Sequence, residues 1–565
     1  MKEITHNYLF FVLLFSPIVL FSQVVEWSSV MGGQREEVGN SICLDPNGNV
    51  ITTGSFQDIC YGSNFALFSQ GSNDIYVQKL SSIGAVLWTK QYGSINSDNG
   101  HSVITDSLGN IYVAGTFVGT VLFEQGSLSS GVTTGNYFVL KLDPNGTIIW
   151  RKAVPASNSQ RPKLAIDSAD NLFLTGAFTD TRTFGNVSLS AANGRGFVTK
   201  LNITDGNIVW TTQFGSGTSL NGTPVPVNVT TSNITTDALG NTYLTGCFAG
   251  HGRFGSQTVL IPNSDNNSYI MKLNSAGVIL WTKFYTGRTQ GTSIVADASN
   301  NIYVAGNYFG SALINGTTYV APLNLYSIFF QKMDSDGNII WFKNYDIREP
   351  NQHEALPQLT IDNLANLFFS CRFGTFSATD AITFENQVLR DLVSTQPNIL
   401  KPQLLASFDS NGNNLWVNQY EALADNFLFG VYPDKTTNIA VSQNGLYFTS
   451  GSSTFNNVQY SGQSGTNIFT AKLTLPYNLN TPLFENNDAT VNLFPNPTTG
   501  TINLKFNTTY TLVQVAVYNT FGQLINNIKF SNTDYASLDL PIVAGTFFIE
   551  IALDGKKSVK KVVKL

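Results

Sequence analysis

The stretch His101–Phe117, HSVITDSLGNIYVAGTF, decides how this chain is read, because its apolar columns and its turn return six more times. Its relatives include DPNGNVITTGSF after Leu44, KLAIDSADNLFLTGAF from Lys163, NITTDALGNTYLTGCF from Asn233 and SIVADASNNIYVAGNY from Ser293. Weaker copies read QLTIDNLANLFFSCRF and NIAVSQNGLYFTSGSS. Three residues before the turn stand Ile42, Val103, Leu164, Ile234, Ile294, Leu359 and Ile439, never a polar residue, as a buried strand position requires. The turn begins at Asp45, Asp106, Asp167, Asp237, Asp297 and Asp362, with Ser442 in the seventh copy. Asp followed by Gly or Asn is the composition of a tight turn whose carboxylate caps its own backbone. The next strand ends in Gly54, Gly115, Gly176, Gly246, Gly306 and Gly451, with Cys371 in the sixth copy. A strand glycine implies a bulge or a close backbone approach.

Between these copies lies a strand–turn–strand motif such as DIYVQKLSSIGAVLWTKQYG or NYFVLKLDPNGTIIWRKAV. All seven tryptophans, Trp27, Trp88, Trp150, Trp210, Trp281, Trp341 and Trp416, fall in its last strand at separations of 61, 62, 60, 71, 60 and 75 residues. Four short strands in a period of about 60 residues predict a β-propeller blade, longer than the ~40–50 residues of the commonest propeller repeats. The extra length sits between the second and third strands, as in TFGNVSLSAANG and RFGSQTVLIPNS. The Trp column reads as blade packing.

The first 22 residues, with Lys2 followed by an apolar run from Tyr8 to Leu20, read as a secretory signal peptide too short to span a membrane. No later segment approaches a transmembrane length. Val24–Val30 carries Trp27 but lacks preceding strands, while the last copy ends at Leu475 without a Trp strand. Pairing the two closes a seven-bladed ring over residues 23–475 and removes open sheet edges. A ring also explains how so long a stretch stays one domain, since each blade touches only its neighbours. Insertions at Ser216–Thr231 and Phe376–Pro402 are the special loops of this scaffold. Residues 476–492 are Asn-rich and read as a linker, and residues 493–565 as a small β-sandwich of alternating strands broken at glycines.

The net charge of -6 divides into -7 over Gln23–Pro476, -2 over residues 477–490 and +3 from Val491 on. So acidic a ring excludes nucleic acid as a natural partner. Charged residues are only 12% of the chain, and Asn, Ser, Thr and Gly carry the surface, as suits an exported protein. Cys43 and Cys60 belong to the first blade, which leaves a bridge between them open in an oxidising compartment; Cys247 and Cys371 read as buried small hydrophobes. No cysteine or histidine spacing fits a metal site, and turns such as Asp334–Asn338 fail the EF-hand template. No nucleophile elbow, phosphate loop or dinucleotide fingerprint occurs, so no catalytic, cofactor or metal residue is assigned.

Two resemblances follow from these motifs. Residues 493–565 resemble the type A sorting domain of the type IX secretion system of Bacteroidota. Its opening is carried by Pro495, Asn496, Pro497 and Gly500, its middle motif by Tyr518, Gly522 and Gln523, and its last by Gly545 before a basic end with Lys556 and Lys557. The blades resemble the secreted propeller repeats called SBBP. The resemblances imply an exported protein handled by the type IX machinery, released or attached to surface glycolipid, and imply fold alone for the repeats. The function expected is a binding scaffold for glycan or protein, the alternative a polysaccharide hydrolase or lyase whose mark would be acids clustered on channel-facing strands.

Overall fold

The computed structural model describes residues 25–474 and 491–564 apart from short internal stretches, the longest being 217–227, 391–402 and 424–437. The expected leader and nearly all of the expected linker lie outside the described residues, as does most of both insertions. The chain divides into two compact units, residues 1–475 and 476–565, and its described elements are all β.

In the first unit each repeat becomes an antiparallel meander. The second copy runs through Asn99–Thr105, Ile111–Phe117, Asn136–Leu142 and Ile148–Val154, paired in sequence order from inner to outer strand. Second and third strands are buried along their whole length, as strands packed on both faces must be. The inner strand of each repeat lies against that of the next, and the seventh, Asn438–Ser442, lies against the first, Val38–Leu44. Val25–Gly33 supplies the outer strand of the last repeat, with Ser28 opposite Ala471 and Gly32 opposite Asn467. Its end continues into the first repeat, Gly33 pairing with Cys60, so first and last repeats share one eight-stranded sheet.

The glycine column is explained by bulges. Register slips between Gly39 and Ser41, Gly100 and Ser102, Thr231 and Asn233, and Gly291 and Ser293 on the inner strand. The bulged carbonyl then comes so close that a Cβ on Gly54, Gly115, Gly246 or Gly306 would overlap Val38, Asn99, Thr230 or Gln290. Serines lock neighbouring inner strands: Val103 N–H donates to Ser41 Oγ, Leu164 N–H to Ser102 Oγ and Leu359 N–H to Ser293 Oγ, each at 3.1 Å.

The extra length after the second strand forms small hairpins, including Thr120–Phe123 with Gly126–Ser129 and Ser311–Ile314 with Thr317–Val320. Each clips onto the end of the preceding outer strand, Leu122 bridging Gly93, Arg253 bridging Ser216 and Leu313 bridging Thr286. These excursions are therefore junction clamps.

In the second unit the strands Val491–Phe494, Thr501–Tyr518, Leu524–Asp539, Gly545–Leu553 and Lys556–Lys564 are joined in one continuous hydrogen-bonded ladder. The reason is Thr501–Tyr518. Its register breaks between Lys505 and Tyr510, its first half pairs with Val491–Phe494 and its second with Gly545–Leu553. Both halves bury Ile502, Leu504, Val513, Val515 and Val517 in one core.

Candidate functional site

The most repeated chemistry in the chain sits at the turns. Asp106 Oδ1 accepts the N–H groups of Leu108 and Asn110 at 3.0 and 2.8 Å, and Oδ2 accepts from Asn110 Nδ2 at 2.8 Å. Asp45, Asp167, Asp237, Asp297 and Asp362 make the same set. Tyr112, Tyr243 and Tyr303 donate their hydroxyls to the same carboxylates. Burial raises the Asp45 carboxyl, but hydrogen bonds from Asn49 and Lys79 outweigh it and hold it below the ordinary carboxylate value. These acids cap turns.

Beside them, at four junctions, a lysine and a tryptophan reach across to one carbonyl. Lys79 Nζ and Trp88 Nε1 donate to Pro144 O at 3.0 and 3.3 Å, Lys272 and Trp281 to Ser335 O at 2.8 and 3.2 Å, and Lys332 and Trp341 to Ser410 O at 3.0 and 3.2 Å. Lys141 and Trp150 treat Ile203 O in the same way. Trp27 donates to Ser82 O at 3.0 Å, carrying the contact from the last repeat to the first. Trp210 packs against Gly277, whose carbonyl accepts from Thr212 Oγ1 at 2.6 Å. Trp416 packs on Phe368 with ring centroids 6.2 Å apart, and Ser407 stands where other repeats have the lysine. Apart from Gly277, the fourth residue of its turn, each of these acceptors is the second residue of a turn in the next repeat, with no side-chain signature, so the sequence shows the donors and hides their target.

The cysteines are all free thiols. Cys60 is buried with Met31, Phe56, Leu67 and Tyr76, whereas Cys43 packs on a separate cluster around Ile51, Val77 and Val113. Burial pushes both thiols far up, so neither is a poised nucleophile. Among the described residues no three His, Cys, Asp or Glu side chains are grouped to hold a metal ion.

One open cleft of about 590 Å³ lies between Asn344–Asp346, Ala381–Thr383, Pro322 and Leu325. Ala381–Thr383 belongs to the described part of the second insertion, the hairpin of Ala381–Phe384 with Gln387–Arg390. Asn344 Oδ1 accepts from Tyr308 OH at 2.7 Å and Asp346 Oδ1 from Ser327 Oγ at 2.6 Å, which orients both polar groups at the cleft. Tyr345 stacks on Phe384 at 4.2 Å and donates to Glu385, so its ring face is covered. Nothing in the sequence marks this cleft, because its walls come from an outer strand and a clip hairpin of the following repeat.

In the second unit, Phe494–Pro495 and Asn496–Pro497 are cis peptides. Asn496 Oδ1 accepts from Val563 N–H at 2.9 Å, and Thr498 N–H donates to Val563 O at 2.9 Å. Gly500 N–H donates to Thr498 Oγ1, and Gly500 O accepts from Leu540 N–H. Gly545 pairs with Lys564, so the first and last motifs meet at the end of the final strand. Lys556 and Lys557 lie on that strand opposite Leu553 and Ala552, and Tyr518 pairs with Phe548. Gly522 and Gln523 lie outside the described residues.

Residues 492–565 match the family described as the secretion system C-terminal sorting domain, and residues 87–116 match the Beta-propeller repeat family, SBBP. The second unit is a type IX sorting domain. The chain is accordingly a secreted or cell-surface protein, and it carries propeller repeats. No helix among the described residues is long and apolar enough to cross a membrane. Over 289 residues the chain is 25% identical to an uncharacterized WD repeat-containing protein of Acanthamoeba polyphaga mimivirus, covering 42% of this chain and 20% of that protein's length. A protein of unknown function from Bacteroides caccae aligns over 64% of this chain and 93% of its own at 12% identity and a TM-score of 0.31. One of unknown function from Dyadobacter fermentans covers 61% and 94% at 10% identity and a TM-score of 0.35. Neither likeness bears on activity.

Proposed function

We propose that this is an exported interaction scaffold, residues 23–475 forming a seven-bladed propeller closed by the N-terminal strand and residues 493–565 directing its export. The match of residues 492–565 to a sorting domain carries the reading, because it makes the remainder of the chain a cargo meant for the cell exterior. Closure is supported by the pairing of Val25–Gly33 with Asn467–Leu473 and by Trp27 reaching Ser82. Binding is favoured over hydrolysis because the recurrent acids are spent on turn caps and on lysine clamps, as at Asp45 and Lys79, 2.9 Å apart. The ligand-facing site is the cleft at Asn344, Asp346 and Thr383, where polar groups are held in place by neighbours. A neutral, hydroxyl-rich ligand such as a glycan suits one carboxylate, one amide and one hydroxyl beside Pro322 and Leu325.

A glycan array and a reducing-sugar assay on the exported protein, run beside Asp346→Ala, test this reading. Retention of a glycan that the variant loses, with no sugar released, is the expected result. Release of reducing ends would replace the scaffold with a hydrolase, and binding unchanged in the variant would remove the cleft.

A further inference from the structure

One junction carries a buried acid within its third strand. Six residues before the end of the third strand stand Asn136, Asn267 and Asn467 in the second, fourth and seventh repeats, Arg195, Ser327 and Pro402 in the third, fifth and sixth, and the acid Asp74 in the first. Two of the asparagines supply a donor there: Asn136 Nδ2 donates to Ser130 O at 2.9 Å, though its Oδ1 has no partner, and Asn267 Nδ2 donates to Asp265 O at 2.7 Å. Asn267 Oδ1 also accepts from Gly287 N–H at 3.1 Å, which ties it to the connector into the next repeat.

Asp74 is 0% exposed. Its Oδ2 accepts from Gln70 N–H and Gln91 Nε2, both at 3.1 Å, and its Oδ1 has no partner. A carboxylate can only accept, so the anion leaves one oxygen bare in a place shut to water. The connector into the second repeat adds another acid. Asp98, also 0% exposed, donates its N–H to Asn73 O at 2.8 Å and accepts from Ser94 Oγ at 2.6 Å and Val118 N–H at 3.3 Å. The connector runs directly over the Asp74 carboxyl, since a Cβ on Gly93 would overlap it. Among the described residues the charge acting on Asp74 is Asp98; Lys90, farther along the outer strand, is paired with Glu124 at 2.6 Å.

We infer that Asp74 and Asp98 form an acid-tightened latch between the first and second repeats, in which a proton on Asp74 Oδ1 restores the donor that asparagine provides elsewhere. Deprotonation releases that proton to bulk water and leaves two anions in a dry junction; no other bond changes. Burial, with a smaller contribution from Asp98, lifts Asp74 to about 6, and burial lifts Asp98 as well. An acid raised in the folded state stabilises it fully below its unfolded value of 3.8, and that stabilisation is lost as pH rises toward 6. The junction is therefore tight near pH 4 and at its loosest above pH 6.

Hydrogen exchange of the full chain, corrected for the intrinsic pH dependence of exchange, reads this directly. In the wild type the peptide covering Gly93–Asp98 should open more often as pH rises from 4 to 6, by up to about tenfold per pH unit. The connector at Gly287–Thr289, beneath Asn267, should show no such rise. Asp74→Asn should hold Gly93–Asp98 at neutral pH as closed as the wild type is near pH 4, and Asp98→Asn should move the rise to lower pH. Equal opening of the wild-type segment at pH 4 and 7, or weaker protection in Asp74→Asn than in wild type at pH 7, would overturn the latch. So would protection of the wild type at pH 7 by added calcium that Asp74→Asn abolishes, which would mean a cation site.

Discussion

Lys141 and Trp150 lie on adjacent strands of one repeat and donate to the same acceptor, the carbonyl of Ile203 in the next, at 3.1 and 3.0 Å. Trp150 also packs its ring 6.1 Å from Tyr112, whose hydroxyl closes the loop onto Asp106. The junction is thus a network in which the turn of one repeat, its third and fourth strands, and the turn of the next repeat share partners.

Replacing Trp150, which is 8% exposed, by Ala should cost about 3–5 kcal/mol through lost packing and a lost hydrogen bond. Lys141→Met keeps the aliphatic stem and should cost less, about 1–3 kcal/mol, by removing a donor to the Ile203 carbonyl and the cation 3.9 Å from Asp106. Equilibrium denaturation of both single variants and the double should give a coupling energy of about 0.5 kcal/mol or more, because the two donors share an acceptor. Additive effects would mean that the shared carbonyl does not join them.

A chain beginning at Gly33 should lose more stability than terminal trimming ordinarily costs. It strips the partner of Asn467–Leu473, exposes that strand's edge and removes Trp27 from Ser82. An unchanged melting temperature would show that the first and last repeats do not depend on this strand.

His101 sits in the inner-strand bulge of the second repeat with Nε2 3.1 Å from Thr116 Oγ1. Burial holds it well below its ordinary value of 6.5, and Arg161 and Lys163 push the same way. A histidine lowered in the folded state resists protonation, so its stabilising effect is complete above pH 6.5 and is lost as pH falls below it. His101→Asn should flatten the acid side of the stability profile by up to about 1.4 kcal/mol per pH unit. This slope is opposite in sign to that of Asp74, so the two variants separate the contributions.

The columns that build the repeat were legible because they are side-chain requirements. Asp106 must cap, Gly115 must admit the bulged strand, and Trp150 must fill a junction. The acceptor of the clamp was not legible, since Ile203, Pro144, Ser335 and Ser410 act through backbone carbonyls that any residue supplies. The cleft at Asn344 and Thr383 was hidden for another reason: its walls are an outer strand and a clip hairpin that the sequence gives no cause to place together. In the second unit the alternating pattern announces strands, but the length and register break of Thr501–Tyr518, which let it pair with three other strands, are not legible there.

The sorting domain also predicts a separable signal. Fusing residues 476–565 to a reporter carrying its own leader should export the reporter, and Asn496→Ala should weaken export by releasing Val563 from the opening motif. Immunoblotting of medium and cell fractions reads both.

Export of the propeller itself is the most direct test. Cells expressing the chain truncated after Leu473 should retain a folded, protease-resistant first unit in the periplasm, while the full chain reaches the surface or the medium. Truncated protein in the medium at the level of the full chain would contradict the account.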